Sequence, residues 1–412
     1  MSAPTTSSTS STTSSSGSSP AGRTAAAEPV PTGVQTLPFA KAINAGLRAA
    51  LGGDDKVLLM GEDIGPLGGV FRVTDGLQAS FGADRVVDTP LAESGILGTA
   101  IGLALRGYRP VCEIQFDGFI FPAFDQITTQ LAKMHYRSRG RLTVPVVVRV
   151  PYGGGIGAVE HHSESPEVLF AHTPGLRVVS PGSPQDAYTM IQEAIASPDP
   201  VLFFEPKGRY WEKGAVDLSA GPYGRRAAEA QDVSGPEGQS SAAESSAADE
   251  PGERESITVR EPGTLREPVT LHEANGFSTL NTAVVARPGT DLTLVAYGPT
   301  VATALKVAEA AASEGTSIEV VDLRSISPLD TDTVVESVRK THRCVVVHEA
   351  PTFLGTGAEI AATVTERCFY DLEAPVLRVG GFHTPYPVAK IEHEYLPSLD
   401  RVLDAVDRSL AF

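Results

Sequence analysis

The sequence has little cysteine and no long apolar run. Only three cysteines occur among 412 residues, Cys112, Cys344 and Cys368. So few and so widely spaced thiols form neither a disulfide framework nor a metal-ligand set, and we expect three small core residues in a protein of the reducing cytoplasm. The absence of any apolar run of about eighteen residues excludes a membrane-spanning helix.

Cationic side chains are also scarce. The chain carries 33 Lys and Arg against 50 Asp and Glu, for a formal net charge of -17. This balance argues against a nucleic-acid partner, because phosphate backbones are bound by an excess of Lys and Arg. The GxGxxG fingerprint of nicotinamide-binding proteins is absent as well. Small anionic molecules or other proteins are the expected partners.

Two stretches are too polar and too irregular to form a packed core. Residues 1–33 are rich in Ser, Thr, Ala and Pro, and residues 216–276 are rich in Ala, Ser, Glu, Pro and Gly. We predict a disordered tail for the first and an acidic disordered linker or insert for the second. The tail lacks the apolar segment of a signal peptide. Two folded domains are therefore expected, over 34–215 and 277–412.

Within both domains, short and nearly continuous apolar runs alternate with helical patterns. This alternation predicts an α/β fold, with two doubly wound and mainly parallel sheets covered on both faces. Ligands of such sheets bind beyond the carboxyl ends of the strands. His348 and Glu349 lie at one such end, where a structural or interface role is favoured over catalysis. The strands are predicted at 56–60, 109–116, 144–150, 176–180, 200–205, 291–297, 317–323, 343–347 and 375–379, and the main helices at 122–139, 184–196, 299–312, 330–340 and 357–369.

The segment DTPLAESGILGTAIG, residues 88–102, places one carboxylate, Glu93, in a nearly uncharged run. Two interpretations are open from the residues alone. Glu93 complements the dipole at the start of a helix, or it is a buried carboxyl group that holds a proton for a cofactor ring. The Gly and Ala spacing that follows Glu93 would let this helix pack closely against whatever faces it.

Longer strings resemble one enzyme family. They are similar to the β subunit of the thiamine-diphosphate-dependent 2-oxo acid dehydrogenases, most closely the branched-chain decarboxylase component, over about 36–212 and 280–412. The resemblance implies a transketolase-like pyrimidine-binding domain followed by a transketolase C-terminal-like domain. The strings are GEDIGPLGGVFRVTDGL (61–77), RVVDTPLAESGILGTAIGLALRGYRPVCEIQFDGFIFPAFDQ (85–126), HHSESPE (161–167), DPVLFFEPK (199–207) and VVVHEAP (345–351).

The resemblance assigns one side of a thiamine diphosphate site to this chain. It implies that Glu93 is catalytic and bonds a ring nitrogen of the aminopyrimidine, sharing its proton. It also implies that Glu62, Leu91, Gln115 and Phe119 bind the cofactor. Phe119 stands where many relatives have Tyr, which keeps the stacking face and loses a hydroxyl group. Ordinary core and loop packing is the alternative for Leu91, Gln115 and Phe119.

A second catalytic residue implied by the resemblance is His162, in the motif HSES where the family has HSQS. In the family this His serves as acid or base when the acyl group passes to a lipoyl dithiolane. Glu164 replaces Gln, and an acid there favours the charged imidazole if the two side chains approach. Without the resemblance, the pair His161 and His162 would be interpreted as a solvated loop or a weak metal site.

The family's magnesium motif, a GDG segment followed later by Asn, does not occur in this chain. The resemblance therefore implies an α subunit that supplies the magnesium side of the site, in an α2β2 heterotetramer that acylates a lipoyl acyltransferase core. A potassium ion bound by backbone oxygens is also implied. The expected function is oxidative decarboxylation of branched-chain 2-oxo acids; pyruvate or acetoin, or a non-catalytic assembly role, are the alternatives. The potassium ligands would be Val146, Ala194, Ile195, Ser197 and Asp199.

Overall fold

A computed structural model describes residues 33–225 and 279–412. Residues 1–32 and 226–278 lie outside it, and with them nearly all of the predicted tail and most of the predicted insert. Val216 and Asp217, placed in the insert by the sequence, still belong to a strand. Among the described helices, none is long and apolar enough to span a bilayer.

The first domain is a seven-stranded sheet with helices on its faces. All neighbouring strands are parallel except β12, which comes from the second domain. The strand order is β12 (Ser325–Ser327), β6 (Arg177–Val179), β7 (Val201–Pro206), β5 (Val147–Tyr152), β4 (Arg109–Glu113), β2 (Val57–Gly61) and β3 (Val86–Asp88). A separate antiparallel pair, β1 with β8, lies beside it. The elements are β1 Val34–Pro38, α1 Phe39–Gly53, β2 Val57–Gly61, α2 Leu77–Phe81, β3 Val86–Asp88, α3 Glu93–Leu105, β4 Arg109–Glu113, α4 Ala132–Arg137, β5 Val147–Tyr152, α5 Glu167–Ala171, β6 Arg177–Val179, α6 Pro184–Ala196, β7 Val201–Pro206 and β8 Lys213–Asp217.

The second domain is a five-stranded sheet in the order β14-β13-β10-β11-β9, parallel except at the edge strand β9. The strands β2, β5, β7, β10 and β11 are buried along their whole length, as expected for parallel strands covered on both faces. The predicted α/β fold class is confirmed. The elements are β9 Val284–Arg287, β10 Leu292–Ala296, α7 Val301–Ser313, β11 Ile318–Asp322, β12 Ser325–Ser327, α8 Thr331–Thr341, β13 Cys344–Pro351, α9 Thr356–Cys368, β14 Leu377–Gly381, α10 Glu392–Tyr395 and α11 Leu399–Leu410.

The two domains share contacts as well as a strand. One hydrophobic cluster contains Tyr152 of the first domain together with Tyr297 and Val321 of the second. The hydroxyl of Tyr297 donates to Glu167 Oε1 over 2.6 Å. The three cysteines are buried and free, in agreement with the sequence analysis. The site described next lies where the first domain's strands end.

Candidate active site

Two carboxylates meet at the carboxyl edge of the first sheet. Gly61 ends β2 and pairs with Asp88, the last residue of the parallel strand β3. Glu62 directly follows Gly61. Glu93, the first residue of α3, comes five residues after Asp88. Each side chain is only 8% exposed. Glu93 therefore begins a helix and is buried, which is compatible with both interpretations of this residue.

One oxygen of these two carboxylates is buried without a donor among the described residues. Glu62 Oε1 is buried without a hydrogen-bond partner. Burial raises the pKa of Glu62, and the neighbouring charges of Glu93 and Asp63 raise that pKa further. A buried acceptor without a donor is costly, so this edge suits a ligand that brings a donor of its own. A protonated ring nitrogen or an exocyclic amine fits this requirement.

The outer face of α3 is bare. Gly98 and Gly102 are exposed, and a Cβ atom at either position would meet nothing within 4 Å. Leu91, just before the helix, is 80% exposed. The alanines of the predicted spacing, Ala100 and Ala104, are buried in the core, whereas Gly98 and Gly102 face no described residue. Leu91 lies at the site but belongs to none of the hydrophobic clusters of the described residues.

His162 is held against two aromatic rings from the segment after β4. Its imidazole stacks on Phe116 with ring centroids 3.9 Å apart and planes at 11°, and Phe119 meets it edge-on at 5.2 Å. His162 Nδ1 lies 2.8 Å from the carbonyl oxygen of His161. A carbonyl only accepts, so Nδ1 carries the hydrogen and Nε2 of the neutral ring is left free.

The turn that carries Phe119 links this histidine to Glu93. The 3-10 turn Asp117–Ala123 packs against α3 on one side and against the turn Glu160–His162 on the other. Gly118 makes this approach possible, because a Cβ atom there would lie 2.4 Å from the carbonyl oxygen of His161. Gln115 is half-buried and lies two residues beyond the end of β4. The structure therefore brings the predicted residues to one edge of the sheet.

A buried ion pair that was not predicted from the sequence lies beneath this edge. Lys207 Nζ lies 3.0 Å from Asp117 Oδ1, and both side chains are fully buried. Lys207 also donates to the carbonyl oxygen of Gly153. Asp117 Oδ2 accepts from the backbone N–H of Glu164 over 2.9 Å. The available signal was a lysine and an aspartate placed directly at the ends of apolar strands.

Glu164, the departure from the family motif, is half-buried. Burial raises the pKa of its carboxyl group, the charges of Asp117 and Glu160 raise it further, and His161 opposes this shift. The imidazole that acts on this carboxyl group is thus that of His161. The expected influence of Glu164 on His162 stays a prediction.

The backbone oxygens predicted to bind potassium have protein donors. Arg109 Nη1 donates to the carbonyl oxygens of Ile195 at 2.9 Å and Ser197 at 3.3 Å. The oxygen of Val146 accepts from the N–H of Val201, and that of Ala194 accepts from the N–H of Ser197. The Asp199 carboxylate pairs with Arg177. Across 33–225 and 279–412, no three His, Cys, Asp or Glu side chains are grouped as metal ligands.

Comparison with known proteins identifies the family. The transketolase pyrimidine-binding domain model matches residues 35–212, and the transketolase C-terminal domain model matches 281–402. The chain is 56% identical over 388 residues to the β subunit of the pyruvate dehydrogenase E1 component of Leifsonia xyli, covering 94% of this chain and 98% of the relative. The chain belongs to the family of 2-oxo acid dehydrogenase E1 β subunits.

Other relatives of this E1 β subunit carry branched-chain names. It is 48% identical over 377 residues to the β subunit of 3-methyl-2-oxobutanoate dehydrogenase of Mycobacterium tuberculosis, covering 91% and 92% of the two chains. A solved split-gene transketolase, in an inactive β4 tetramer, superposes with a TM-score of 0.59 at 20% identity and covers 91% of this chain and 98% of its own. The resemblance and the transketolase-like fold predicted from the sequence are confirmed.

Proposed function

We propose that this E1 β subunit works with an α subunit on thiamine diphosphate. The pair would carry out oxidative decarboxylation of branched-chain 2-oxo acids in the cytoplasm and reductive acylation of lipoyl-lysine on an acyltransferase core. The observation that supports this most is Glu62 Oε1, which is buried beside Glu93 at a strand edge without a donor among the described residues. A charged or protonated heterocycle would supply the missing donor.

Each residue of the edge has a task in this proposal. When bound, thiamine diphosphate supplies the carbon that attacks the 2-oxo carbonyl group and takes up the electrons released on decarboxylation. Glu93 would hold a proton at a ring nitrogen. Burial raises the pKa of the neighbouring Glu62 carboxyl group, and the charge of Glu93 raises that pKa further. Phe119 would offer an apolar wall, and Gln115 and Leu91 would border the ring.

His162 would serve the second half of the reaction. Its ring plane is fixed by Phe116, and its free Nε2 is the atom that gives or takes a proton at the dithiolane sulfur. We therefore expect His162→Ala to depress acyl transfer to lipoyl groups more than decarboxylation coupled to an artificial oxidant. Equal losses in both assays would argue for a merely structural histidine.

The α subunit would complete the site from the bare face of α3. Gly98 and Gly102 leave room for a close approach, and relatives of this chain are named as β subunits. Because the GDG motif does not occur in the sequence, magnesium and the diphosphate would be held on the α side of an α2β2 assembly. A potassium ion would bind there only if the carbonyl oxygens of Ile195 and Ser197 gave up the hydrogen bonds that Arg109 donates to them.

The substrate is the finer part of the proposal. Relatives named for 2-oxoisovalerate or 3-methyl-2-oxobutanoate are 40% and 48% identical to this chain. The 56% identical relative is named for pyruvate, which makes pyruvate the second candidate.

The deciding experiment co-expresses this chain with its α partner and measures kcat/KM for 2-oxoisovalerate and for pyruvate. We expect the larger value with 2-oxoisovalerate and no turnover by the β chain alone. A larger value with pyruvate would reassign the substrate. Robust activity without α would overturn the shared site, and no activity with either substrate would favour an assembly role.

A further inference from the structure

A glycine loop follows β5 and leads to the catalytic histidine. Gly153, Gly155 and Gly157 have positive φ values of 79°, 89° and 69°. Alternation of left-handed and ordinary backbone turns successive N–H groups toward one side and forms an anion-binding concavity. The function derived above gives this loop, residues 153–164, no task beyond carrying His162.

The anions that occupy this concavity come from the second domain. Glu349 Oε2 accepts from the N–H of Gly154 over 2.9 Å. Glu392 accepts from two further amides, with Oε1 2.9 Å from the nitrogen of Gly155 and Oε2 3.1 Å from that of Gly157. Three backbone donors of the first domain are therefore satisfied by two carboxylates of the other domain.

The fit between the two domains is close at this point. A Cβ atom on Gly154 would lie 1.9 Å from the hydroxyl oxygen of Tyr386, and that hydroxyl donates to Glu392 Oε1 over 2.7 Å. Glu392 is 9% exposed. Apart from Tyr386, the hydrogen-bond partners of the Glu392 carboxylate lie in the glycine loop and not in its own domain.

The far end of the loop is fixed by the first domain. The N–H of Gly153 donates to the carbonyl oxygen of Glu164 over 3.0 Å and closes the loop. Asp117, paired with Lys207, accepts from the N–H of Glu164. His162 precedes Glu164 by two residues, so it lies inside this loop. The first domain holds the end of the loop at Glu164, and the second domain holds Gly154, Gly155 and Gly157.

We propose that Glu392, assisted by Glu349, is a positioning residue that holds His162 in place for acyl transfer. This inference rests on the function proposed above for His162. A carboxylate that accepts two amide hydrogens forms charge-assisted bonds that fix a loop more firmly than neutral ones. Acid-base catalysis tolerates little misplacement, since a shift of about 1 Å can cost about 10²-fold in rate.

The test uses the assembled α2β2 enzyme with Glu392→Ala and Glu392→Gln. Glu394→Ala is the matched control, because Glu394 lies two residues away in α10 with its side chain 77% exposed. Three quantities are measured: decarboxylation with an artificial oxidant, acyl transfer to a lipoyl domain, and amide hydrogen exchange of peptides covering 153–164. The exchange measurement requires no catalysis.

For Glu392→Ala we expect faster exchange in the loop, a fall of about tenfold or more in acyl transfer, and decarboxylation within about twofold of wild type. Gln keeps one carbonyl acceptor, so Glu392→Gln should recover part of both losses and remains informative if the Ala variant does not assemble. Glu394→Ala should match wild type in all three measurements.

Three results would overturn the proposal. These are unchanged exchange in the loop, faster exchange with normal acyl transfer, or equal loss in both catalytic assays. Absence of acyl transfer in the wild-type complex would instead contradict the function proposed for His162. In that case, faster exchange in Glu392→Ala would show a structural contact alone.

Discussion

The carboxyl edges of the two sheets carry similar residues in opposite states. At the edge of the first sheet, Glu62 and Glu93 are buried. Glu62 Oε1 has no hydrogen-bond donor among the described residues. At the edge of the second sheet, Glu349 and Glu392 accept three backbone hydrogens from the glycine loop, and Glu392 also accepts the Tyr386 hydroxyl. One edge is open, and the other is closed by the chain itself.

This difference separates a ligand site from architecture. An unsatisfied buried acceptor costs about 1–3 kcal/mol, and a chain selected for stability alone would not keep one beside a second buried carboxylate. At the closed edge the same chemical groups stabilise the contact between domains. An acidic residue after a parallel strand is therefore informative about function only once its donors are known.

The first prediction breaks the open edge. Glu93→Gln keeps the shape of the side chain and loses the proton that the proposal requires, so we expect decarboxylation by the α2β2 enzyme to fall by about 10²- to 10⁴-fold. Thermal unfolding of the β chain should change little, because Gln has nearly the same size and shape as Glu at the first residue of α3. Glu309→Gln, on the exposed face of α7, is the control for both measurements. A near-normal rate in Glu93→Gln would remove the assignment of Glu93.

The second prediction removes the buried ion pair between Lys207 and Asp117 beneath the open edge. Lys207→Met leaves Asp117 buried with an uncompensated charge, and we expect a loss of about 3–5 kcal/mol in the free energy of unfolding. Adding Asp117→Asn should return part of that loss, since the two substitutions act on one pair.

Urea unfolding of the isolated β chain measures these free energies. The matched control is Lys41→Met, whose ion pair with Asp75 spans 3.1 Å between side chains that are 43% and 54% exposed. Exposed pairs contribute about 0–1 kcal/mol. A loss in Lys207→Met no larger than in Lys41→Met would show that the buried pair does not hold this edge together.

Local patterns predicted most of the regular structure. The helix 184–196 has the bounds that the sequence indicates, because Ser183 accepts from the N–H of Asp186 and Pro184 favours a helix start. The amphipathic helix α11 was missed although its buried Val402, Ala405 and Val406 recur at helical spacing. Its signal was present in the sequence and was not used.

The predicted helix 122–139 differs from the structure. The chain forms a 3-10 turn at Asp117–Ala123, a π-helical segment at Gln126–Leu131 and then α4. Pro122 has no N–H to donate, and the hydroxyl of Thr128 donates to the carbonyl oxygen of Phe124 over 2.8 Å. Such side-chain competition bends a helix in ways that apolar periodicity does not encode.

Long-range partnerships were beyond the sequence. Resemblance to a family indicated Glu93 and His162, but the residues that hold the site lie far apart along the chain. Asp117 and Lys207 are separated by 90 positions, and Gly155 and Glu392 by 237. Nothing in the local composition of either segment specifies its partner, so only the fold reveals these contacts.

The last prediction concerns Glu167, whose carboxyl group is intermediate between those of the two edges. Its Oε1 accepts the Tyr297 hydroxyl, whereas its Oε2 is buried without a partner. Burial raises the pKa of Glu167 to about 8; the Tyr297 hydrogen bond opposes this shift, and the charges of Glu349 and Asp117 add to it. Because the folded chain keeps this proton, its stabilising effect is fully present below the unfolded pKa of about 4.3 and is lost as the pH rises through about 8.

Glu167→Gln should therefore flatten the decline of unfolding free energy between about pH 5 and 8, by up to about 1.4 kcal/mol per pH unit. The measurement is the difference between variant and wild type in urea unfolding at each pH. Asp322, whose pKa burial raises to about 7, titrates in the same window in both proteins and cancels in that difference. Parallel curves for the two proteins would place Glu167 with the satisfied carboxylates of the closed edge and not between the two.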